Sequence, residues 1–303
     1  MSGIFTAMDM ETLSQKPRRP WLAAILSLFG GPLGQIYVGK LRRSLCLWLV
    51  GACFFPVIAF CLITLPIGRI SFNLLLMCVL AFPVYFAVDA FLLAKRNRHA
   101  SLKRYQRWWI YVIFFFVFLS ANNCVAHFIR LFIAEAFVIP SRSMSPTIQP
   151  GDRILVDKLW YDIKHIRRND LVVFRSEGPN SPCYIMRIAG IPGDEIEIKN
   201  ERVFINGTEW DDKHAVFKGL LPPLANFANF GPIKVPEDHF FVLGDNRRRA
   251  KDSRLRGPIP MSDLYGKAIL IYWSQERIFP DPNDITHYEL GPVHWERMGL
   301  RLD

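Results

Sequence analysis

Two serines separated by one residue are the side chains of this sequence best suited to chemistry. Ser141 and Ser143 lie between Pro140 and Pro146, directly after a long apolar segment. A serine hydroxyl becomes a nucleophile when a base accepts its proton, and a second hydroxyl beside it is able to stabilise a developing oxyanion. Clusters of serine and proline also form ordinary turns. The stretch by itself therefore leaves both interpretations open.

Charge and hydropathy divide the 303-residue chain into a basic, apolar half and a neutral half. Residues 1–140 carry 14 Lys and Arg against 4 Asp and Glu, whereas residues 141–303 carry 23 of each class. The net charge of +10 therefore belongs to the apolar half, where basic residues act as a topology signal. Because the second half is neutral, it has no electrostatic footprint for nucleic acid, and no such partner is expected.

The apolar half predicts several membrane segments. Its long uncharged runs are sufficient to cross a bilayer, whereas an earlier run interrupted by glycines has basic residues on both sides and predicts a re-entrant or interfacial hairpin. Three crossings that start in the cytoplasm end outside it, so the second half is expected to be extracytoplasmic. The predicted parts are a polar cytoplasmic N-terminus (1–20), a membrane domain (21–136) and a β-rich domain (137–303), with the hairpin at 21–39 and spans at about 44–68, 70–94 and 108–125.

The second half predicts an all-β domain. Short runs of β-branched and aromatic residues are separated by turn dipeptides such as Asn206-Gly207. An apolar loop is expected at 219–232, which is rich in Pro, Leu and Phe. The predicted strands are 153–158, 171–174, 195–198, 202–205, 240–243 and 268–273.

Cysteine and histidine usage predicts neither a disulfide nor a metal site in this half. Cys183 is the only cysteine after residue 140, so no pair exists there to form a bridge. The histidines are scattered and show no ligand spacing with cysteine. No metal and no cofactor are therefore expected.

Four stretches of the second half resemble, in order, the sequence boxes of type I signal peptidases, also called leader peptidases. They are 140–147, 151–158, 184–194 and 244–254, named here the first to fourth boxes, and 266–268 follows them. The resemblance covers nearly all of residues 137–273. It implies a membrane-anchored α plus all-β protein of the bacterial inner (cytoplasmic) membrane, in which transmembrane helices precede an extracytoplasmic, β-rich, signal-peptidase-like catalytic domain. Such a domain is a serine endopeptidase that removes signal peptides from exported preproteins, so the implied partners are preprotein signal peptides and membrane lipid.

The resemblance also implies roles for individual residues. Ser143 takes the position of the nucleophile, and Ser141 takes that of a hydroxyl donor in the oxyanion hole. The residues of the fourth box are expected to support this site. They are Asp245, Asn246, Arg247, Ala250, Asp252, Ser253 and Arg254.

The general base is the point at which the sequence departs from the family pattern. The family uses a lysine that burial keeps neutral, and its position is occupied here by Met186, whose thioether cannot accept the serine proton. The serine that normally hydrogen-bonds this lysine is replaced by Ala250. Arg142 stands in place of the glycine common between the two serines, and Arg248 and Arg249 stand in place of an Asp and an Asn.

Two hypotheses follow from this departure. A substitute base would make the protein a signal-peptidase-like endopeptidase, and the candidates are Lys158, Lys267 and Lys251, of which Lys251 is best placed because it follows Ala250. Without such a base, the protein would be a catalytically silent paralogue that binds signal peptides or membrane partners through the same groove. The sequence leaves both hypotheses open.

Overall fold

The computed structural model describes residues 17–64, 69–98, 106–159, 166–175, 181–217, 228–278 and 288–302. The chain divides into two compact units, one that ends at Ile129 and one that begins at Arg130. The first unit is helical and the second is built mainly from β-strands.

Among its described residues, the first unit contains three helices that are long and apolar enough to cross a membrane. The qualifying segments are Leu41–Ile58, Phe72–Arg96 and Trp108–Ile133. The predicted hairpin consists of two short helices joined at Gly31-Pro32, and the last residues of the predicted span 44–68 lie outside the described ranges. The helices are α1 (Pro20–Gly30), α2 (Leu33–Tyr37), α3 (Leu41–Thr64), α4 (Arg69–Arg96) and α5 (Trp108–Phe128).

A polar network connects α2 to two of the long helices. The Asp89 carboxylate of α4 accepts hydrogen bonds from Gln35 of α2 (3.0 Å) and from Arg43 of α3 (2.5 Å). The helices pack closely, since a Cβ on Gly34 would lie 2.1 Å from the carbonyl oxygen of Ala23. An acid in an apolar helix is costly unless it is paired, and Asp89 therefore acts here as a link between three helices.

The second unit follows a π-helical turn at Ile129–Ile133 and contains thirteen strands among its described residues. One short helix, α6 (Ser253–Arg256), interrupts them. The strands are β1 (Ala134–Val138), β2 (Asp152–Asp157), β3 (Leu171–Arg175), β4 (Cys183–Gly190), β5 (Glu195–Lys199), β6 (Arg202–Ile205), β7 (Thr208–Glu209), β8 (Phe230–Lys234), β9 (His239–Leu243), β10 (Ile259–Pro260), β11 (Leu264–Ile278), β12 (Glu289–Val293) and β13 (Leu300–Arg301).

Two antiparallel sheets share the strands. The larger sheet has the order β1-β2-β11-β3-β4-β9-β10, and β12 and β13 also pair with the long strand β11. The smaller sheet has the order β7-β6-β5-β8. Strand β9 contributes to both cores, because Phe240 and Val242 enter the main hydrophobic cluster while Phe241 and Leu243 enter the cluster of the small sheet. Burial on both faces explains its uninterrupted apolar sequence.

The predicted fold class, apolar N-terminal helices followed by a β-rich domain, is confirmed for the described residues. All six predicted strands are present, although β11 begins before and ends after the predicted segment 268–273. The apolar loop expected at 219–232 is wrong at its end, since Phe230–Lys234 forms β8 and pairs with β5. Residues 219–227 of that segment lie outside the described ranges. Strand β8 was not predicted because Gly231 and Pro232 are weak strand formers, and pairing with β5 compensates for them.

Candidate active site

The loop that carries the two serines connects β1 to β2 and is closed at its base by backbone hydrogen bonds. The N–H of Ile139 donates to the carbonyl of Asp152 (2.9 Å), and the N–H of Gly151 donates to the carbonyl of Ile139 (2.8 Å). Gly151 has a φ of +95°, and a Cβ there would lie 1.9 Å from the carbonyl oxygen of Gln275 on β11. Only glycine fits this position, which explains why the second box begins with it.

Buried apolar side chains hold the same loop against the large sheet. Met144 and Ile148 belong to the main hydrophobic cluster, while Ser141 is exposed and Ser143 is half-buried. Within the described part of the chain, no hydrogen-bond partner is found for the Oγ atoms of Ser141 and Ser143 or for the backbone N–H of Ser143. The two hydroxyls and the N–H of Ser143 are therefore not engaged by any described residue.

The fourth box lies directly against this loop. The backbone N–H of Asn246 donates to the carbonyl oxygen of Ser143 (3.0 Å). A Cβ on Gly244 would lie 2.9 Å from the same oxygen and 2.2 Å from the Cβ of Ala250. The structure therefore brings Ser143, Asn246 and Ala250 together, and it requires glycine at position 244.

A buried ion pair connects the third box to the fourth. Arg187 on β4 donates from Nε and Nη2 to the two carboxylate oxygens of Asp245, each at 2.8 Å. Thr147 of the first box donates its hydroxyl to the same carboxylate (2.6 Å). The sequence analysis named Asp245 but missed Arg187 and Thr147. A single charge within the apolar run of β4 was the available signal for Arg187, because a buried charge requires a partner.

The carboxylate of Asp252 organises the remainder of the fourth box. It accepts a hydrogen bond from the Gly244 N–H (3.0 Å) and a bidentate pair from Arg254, with both distances at 2.8 Å. Ser253 accepts from the N–H of Val242 on β9 through its hydroxyl (3.0 Å). Asp252 and Ser253 are fully buried, and the support of the active site that the sequence predicts for them stays a prediction.

Two arginines of the fourth box reach the segment around the small sheet. Arg247 contacts Asp212, and Arg248 pairs with Glu201 (3.1 Å). Burial, together with the nearby charge of Arg254, lowers the pKa of Arg247 to about 10, which leaves it protonated at neutral pH. Arg248, which departs from the family pattern, thus has a local partner in this chain.

A family model described as signal peptidase, peptidase S26, matches residues 106–273. The chain belongs to this family. A probable signal peptidase I-2 of Synechocystis is 35% identical over 175 residues, which are 55% of this chain and 77% of that protein. A signal peptidase I of Bacillus caldolyticus is 36% identical over 157 residues, 50% of this chain and 85% of that protein. A solved structure of a signal peptidase I from Enterococcus faecalis is 28% identical to this chain, with a TM-score of 0.28. The match covers 98% of that protein and 35% of this chain.

Met186 is the residue that the sequence pattern assigned to the lysine position of the family. Its side chain is 2% exposed and belongs to the same hydrophobic cluster as Met144, the residue after Ser143. Ala250, which the pattern assigned to the position of the serine that bonds this lysine, is 1% exposed. Both side chains are therefore buried and apolar, and neither leaves an unpaired polar atom behind.

The first candidate substitute base, Lys158, is already engaged in three hydrogen bonds. The Lys158 ammonium donates to Glu135 (2.9 Å), to the hydroxyl of Tyr265 (2.7 Å) and to the carbonyl of Arg130 (2.9 Å). Burial alone would lower the pKa of Lys158, but the hydrogen bonds to Tyr265 and Glu135 raise it above its usual value. With all three protons donated and its charge stabilised, Lys158 is unsuited to accept a proton from a serine.

Lys267 and Lys251 differ in their surroundings. Lys267 donates to Asp170 at 2.6 Å, and this ion pair is largely shielded from solvent. Lys251 follows the buried Ala250, but it is exposed. Its role as a base stays a prediction.

His214 is a titratable residue that the sequence analysis did not single out. Burial and the positive charges of Arg187 and Lys213 lower its pKa, whereas the negative charge of Asp245 acts in the opposite direction. An isolated histidine gave no sequence signal of these surroundings.

Proposed function

We propose that this protein is a signal-peptidase-I-type serine endopeptidase that removes signal peptides from preproteins. The observation that carries the proposal is the convergence of the first and fourth boxes on Ser143 in a chain of the signal peptidase family. The backbone N–H of Asn246 binds the carbonyl of Ser143, while the Ser143 hydroxyl has no partner among the described residues. The curated relatives reported above are signal peptidases I, and this chain covers at least 77% of the length of each.

Ser143 is the proposed nucleophile, and its Oγ attacks the carbonyl carbon of the scissile peptide bond. The backbone N–H of Ser143 and the hydroxyl of Ser141 are the proposed donors to the resulting oxyanion. Support comes from the fact that neither group has another partner among the described residues. Loss of one such donor typically lowers the rate by about 10² to 10³.

The proton of Ser143 needs an acceptor that Met186 cannot provide. Lys251 is the proposed substitute within this hypothesis, because it borders Ala250 and the two other lysines are held in ion pairs. Without assistance, serine attack is slower by the contribution of a general base, about 10² to 10⁴. We therefore propose a slow enzyme.

A second candidate function is a catalytically silent paralogue that binds signal peptides through the same groove. It is favoured by one specific observation, the burial of two apolar side chains, Met186 and Ala250, where the family has a lysine and a serine. Family membership and the intact serines are compatible with both functions.

Cleavage of a preprotein by the purified full-length protein in detergent separates the two candidates. Ser143→Ala is the blank, Met186→Lys with Ala250→Ser is the restored variant, and Lys251→Ala tests the substitute base. The proposed enzyme cleaves above the blank, loses that rate on Lys251→Ala, and gains about 10²-fold or more in the restored variant. Wild-type turnover equal to the blank, together with cleavage by the restored variant, would assign the silent function.

The described helices are apolar enough for a membrane anchor, and bacterial signal peptidase I relatives match the chain. We further propose several crossings of the bacterial inner membrane, with residues 137–303 on the extracytoplasmic side. The basic cluster between the second and third spans supports this orientation. Protease added to intact spheroplasts should degrade the β-rich domain, whereas full protection until lysis would contradict the proposed topology.

A further inference from the structure

A cavity of about 240 Å³ that is lined by two arginines and one glutamate, besides Pro146 and Pro150, lies beside the proposed nucleophile. Its lining includes Arg142, which precedes Ser143, and Ser145, which follows it by two residues. Asn246, whose N–H binds the Ser143 carbonyl, also lines it. The volume is below the roughly 300–1,000 Å³ of small-molecule sites. The cavity therefore suits one or two side chains of a peptide that passes over Ser143.

The charged groups of the cavity favour an anion. Arg142 is exposed and forms no ion pair with any described residue. The guanidinium of Arg277 on β11 lies 4.0 Å from the ring centroid of Tyr288, which holds it at the rim. Glu276 is the one acid among the lining residues, so the lining carries one more positive charge than negative.

Asn246 adds an unused hydrogen-bond acceptor. It is 5% exposed, and its side-chain Oδ1 is buried without a donor in the described part of the chain. A buried amide oxygen that lacks a partner costs free energy. A peptide N–H in the cavity would provide the missing donor.

The position of the cavity relative to the apolar core indicates which part of a substrate it receives. None of the residues that line it belongs to the main hydrophobic cluster, which contains Met144 and Met186. A signal peptide is apolar before its cleavage site, with small residues at the site itself. A cavity with three charged lining residues does not suit that segment, but it suits charged residues that follow the scissile bond.

We propose that this cavity is a subsite for the first residues of the mature segment and that it selects acidic side chains there. The inference rests on the proposed function and gives a role to Arg142, the residue that stands between the two serines in place of the family's glycine. Arg142 and Arg277 attract the carboxylate, and Asn246 accepts from the peptide backbone.

Binding of synthetic peptides to the full-length Ser143→Ala protein tests the subsite without turnover. Each peptide carries the same signal sequence followed by a mature segment with Glu, Gln or Lys at one of its first three positions, and fluorescence anisotropy reports the dissociation constant. We expect Glu at one of these positions to bind about twofold to fivefold more tightly than Gln, as for a partly exposed ion pair. Arg142→Glu should reverse the order and favour Lys.

Arg153→Glu is the matched control, since it places the same charge change on an exposed arginine of β2 that does not line the cavity. It should leave the preference for Glu unchanged. Equal binding of all three peptides, or an equal effect of Arg142→Glu and Arg153→Glu, would overturn the subsite while leaving the proposed function intact. Absence of binding by every peptide to the folded protein would overturn both.

Discussion

Arg187 and Asp245 form a bidentate ion pair whose side chains are only 2% and 1% exposed. It connects β4, which carries Met186, with the fourth box, which holds the Ser143 carbonyl. Removing one partner of such a pair leaves a buried charge without compensation. The ion pair is therefore a strong determinant of the geometry around Ser143.

We expect Arg187→Met to lower the free energy of unfolding by about 3–5 kcal/mol, the usual cost of breaking a buried ion pair. Arg202→Met is the control, because the Arg202–Glu209 pair is 69% and 52% exposed and should contribute under about 1 kcal/mol. Unfolding in detergent, followed by tryptophan fluorescence, measures both variants. Equally small losses of unfolding free energy in the two variants would show that the buried pair stabilises the protein no more than an exposed pair does.

Gly244→Ala should displace the fourth box from the serine loop. The added Cβ would lie 2.2 Å from that of Ala250 and 2.9 Å from the Ser143 carbonyl oxygen. Overpacking of this kind costs about 1–3 kcal/mol, and we expect signal-peptide binding to weaken with it.

Gly207→Ala provides the comparison for that variant. Gly207 has a φ of +78° in the β6–β7 turn, and a Cβ there would meet nothing within 4 Å. Gly207→Ala should lower the free energy of unfolding by about 1–2 kcal/mol through backbone strain alone and leave peptide binding unchanged. Weaker binding in the Gly207 variant alone would contradict the assignment of Gly244 to the site.

The Glu135–Lys158 pair should make stability depend on pH at both ends of the range. Burial alone would raise the pKa of Glu135, but hydrogen bonds from Tyr265 and Lys158 lower it. The lowered pKa means that ionised Glu135 stabilises the folded protein at pH values above the ordinary glutamate pKa of about 4.3. This stabilisation is lost as pH falls through the lower folded-state pKa. The raised pKa of Lys158 contributes below about 10.4, and that contribution is lost as pH rises through the higher folded-state pKa.

Lys158→Met should therefore cost about 1–2 kcal/mol at neutral pH and flatten the loss of stability at high pH. Thermal unfolding between pH 4 and pH 11 is the measurement. Lys199→Met removes a lysine that is 59% exposed and paired with Glu197, and it should change neither the neutral stability nor the profile appreciably. If Lys158→Met loses stability at high pH as steeply as the wild type does, the pH dependence does not come from Lys158.

Met186→Lys should destabilise the protein more at low pH than at high pH. The site is 2% exposed, and burial lowers the pKa of a lysine by disfavouring its charged form. Each unit of lowering costs about 1.4 kcal/mol at pH values where the unfolded lysine is charged. The rate of preprotein cleavage by the restored variant, Met186→Lys with Ala250→Ser, should in turn rise with pH as the lysine loses its proton.

The control for this prediction is Met186→Leu, which keeps the volume and should cost under about 1.5 kcal/mol at every pH. A Met186→Lys protein as stable as Met186→Leu throughout would mean that the side chain escapes to solvent. It would also remove the physical basis for a neutral lysine at this position.

Much of the architecture was predictable from local pattern. Long uncharged runs predicted the apolar helices, and the alternation of β-branched segments with turn dipeptides predicted six of the strands. The strand Phe230–Lys234 was not predictable in this way, because its glycine and proline are unfavourable and its stability depends on β5. Local composition cannot contain information about a partner strand distant in sequence.

The sequence by itself determined the candidate chemistry, because Ser141, Ser143, Met186 and Ala250 are identified by their types and by the boxes that contain them. The tertiary structure decided which groups act on one another. It paired Arg187 with Asp245 and engaged all three protons of Lys158 with Arg130, Glu135 and Tyr265. It also lined a charged cavity with Arg142 and residues of β11. Burial, pairing and charge environment arise from contacts between segments that lie far apart in the chain, and for that reason they were fixed only by the fold.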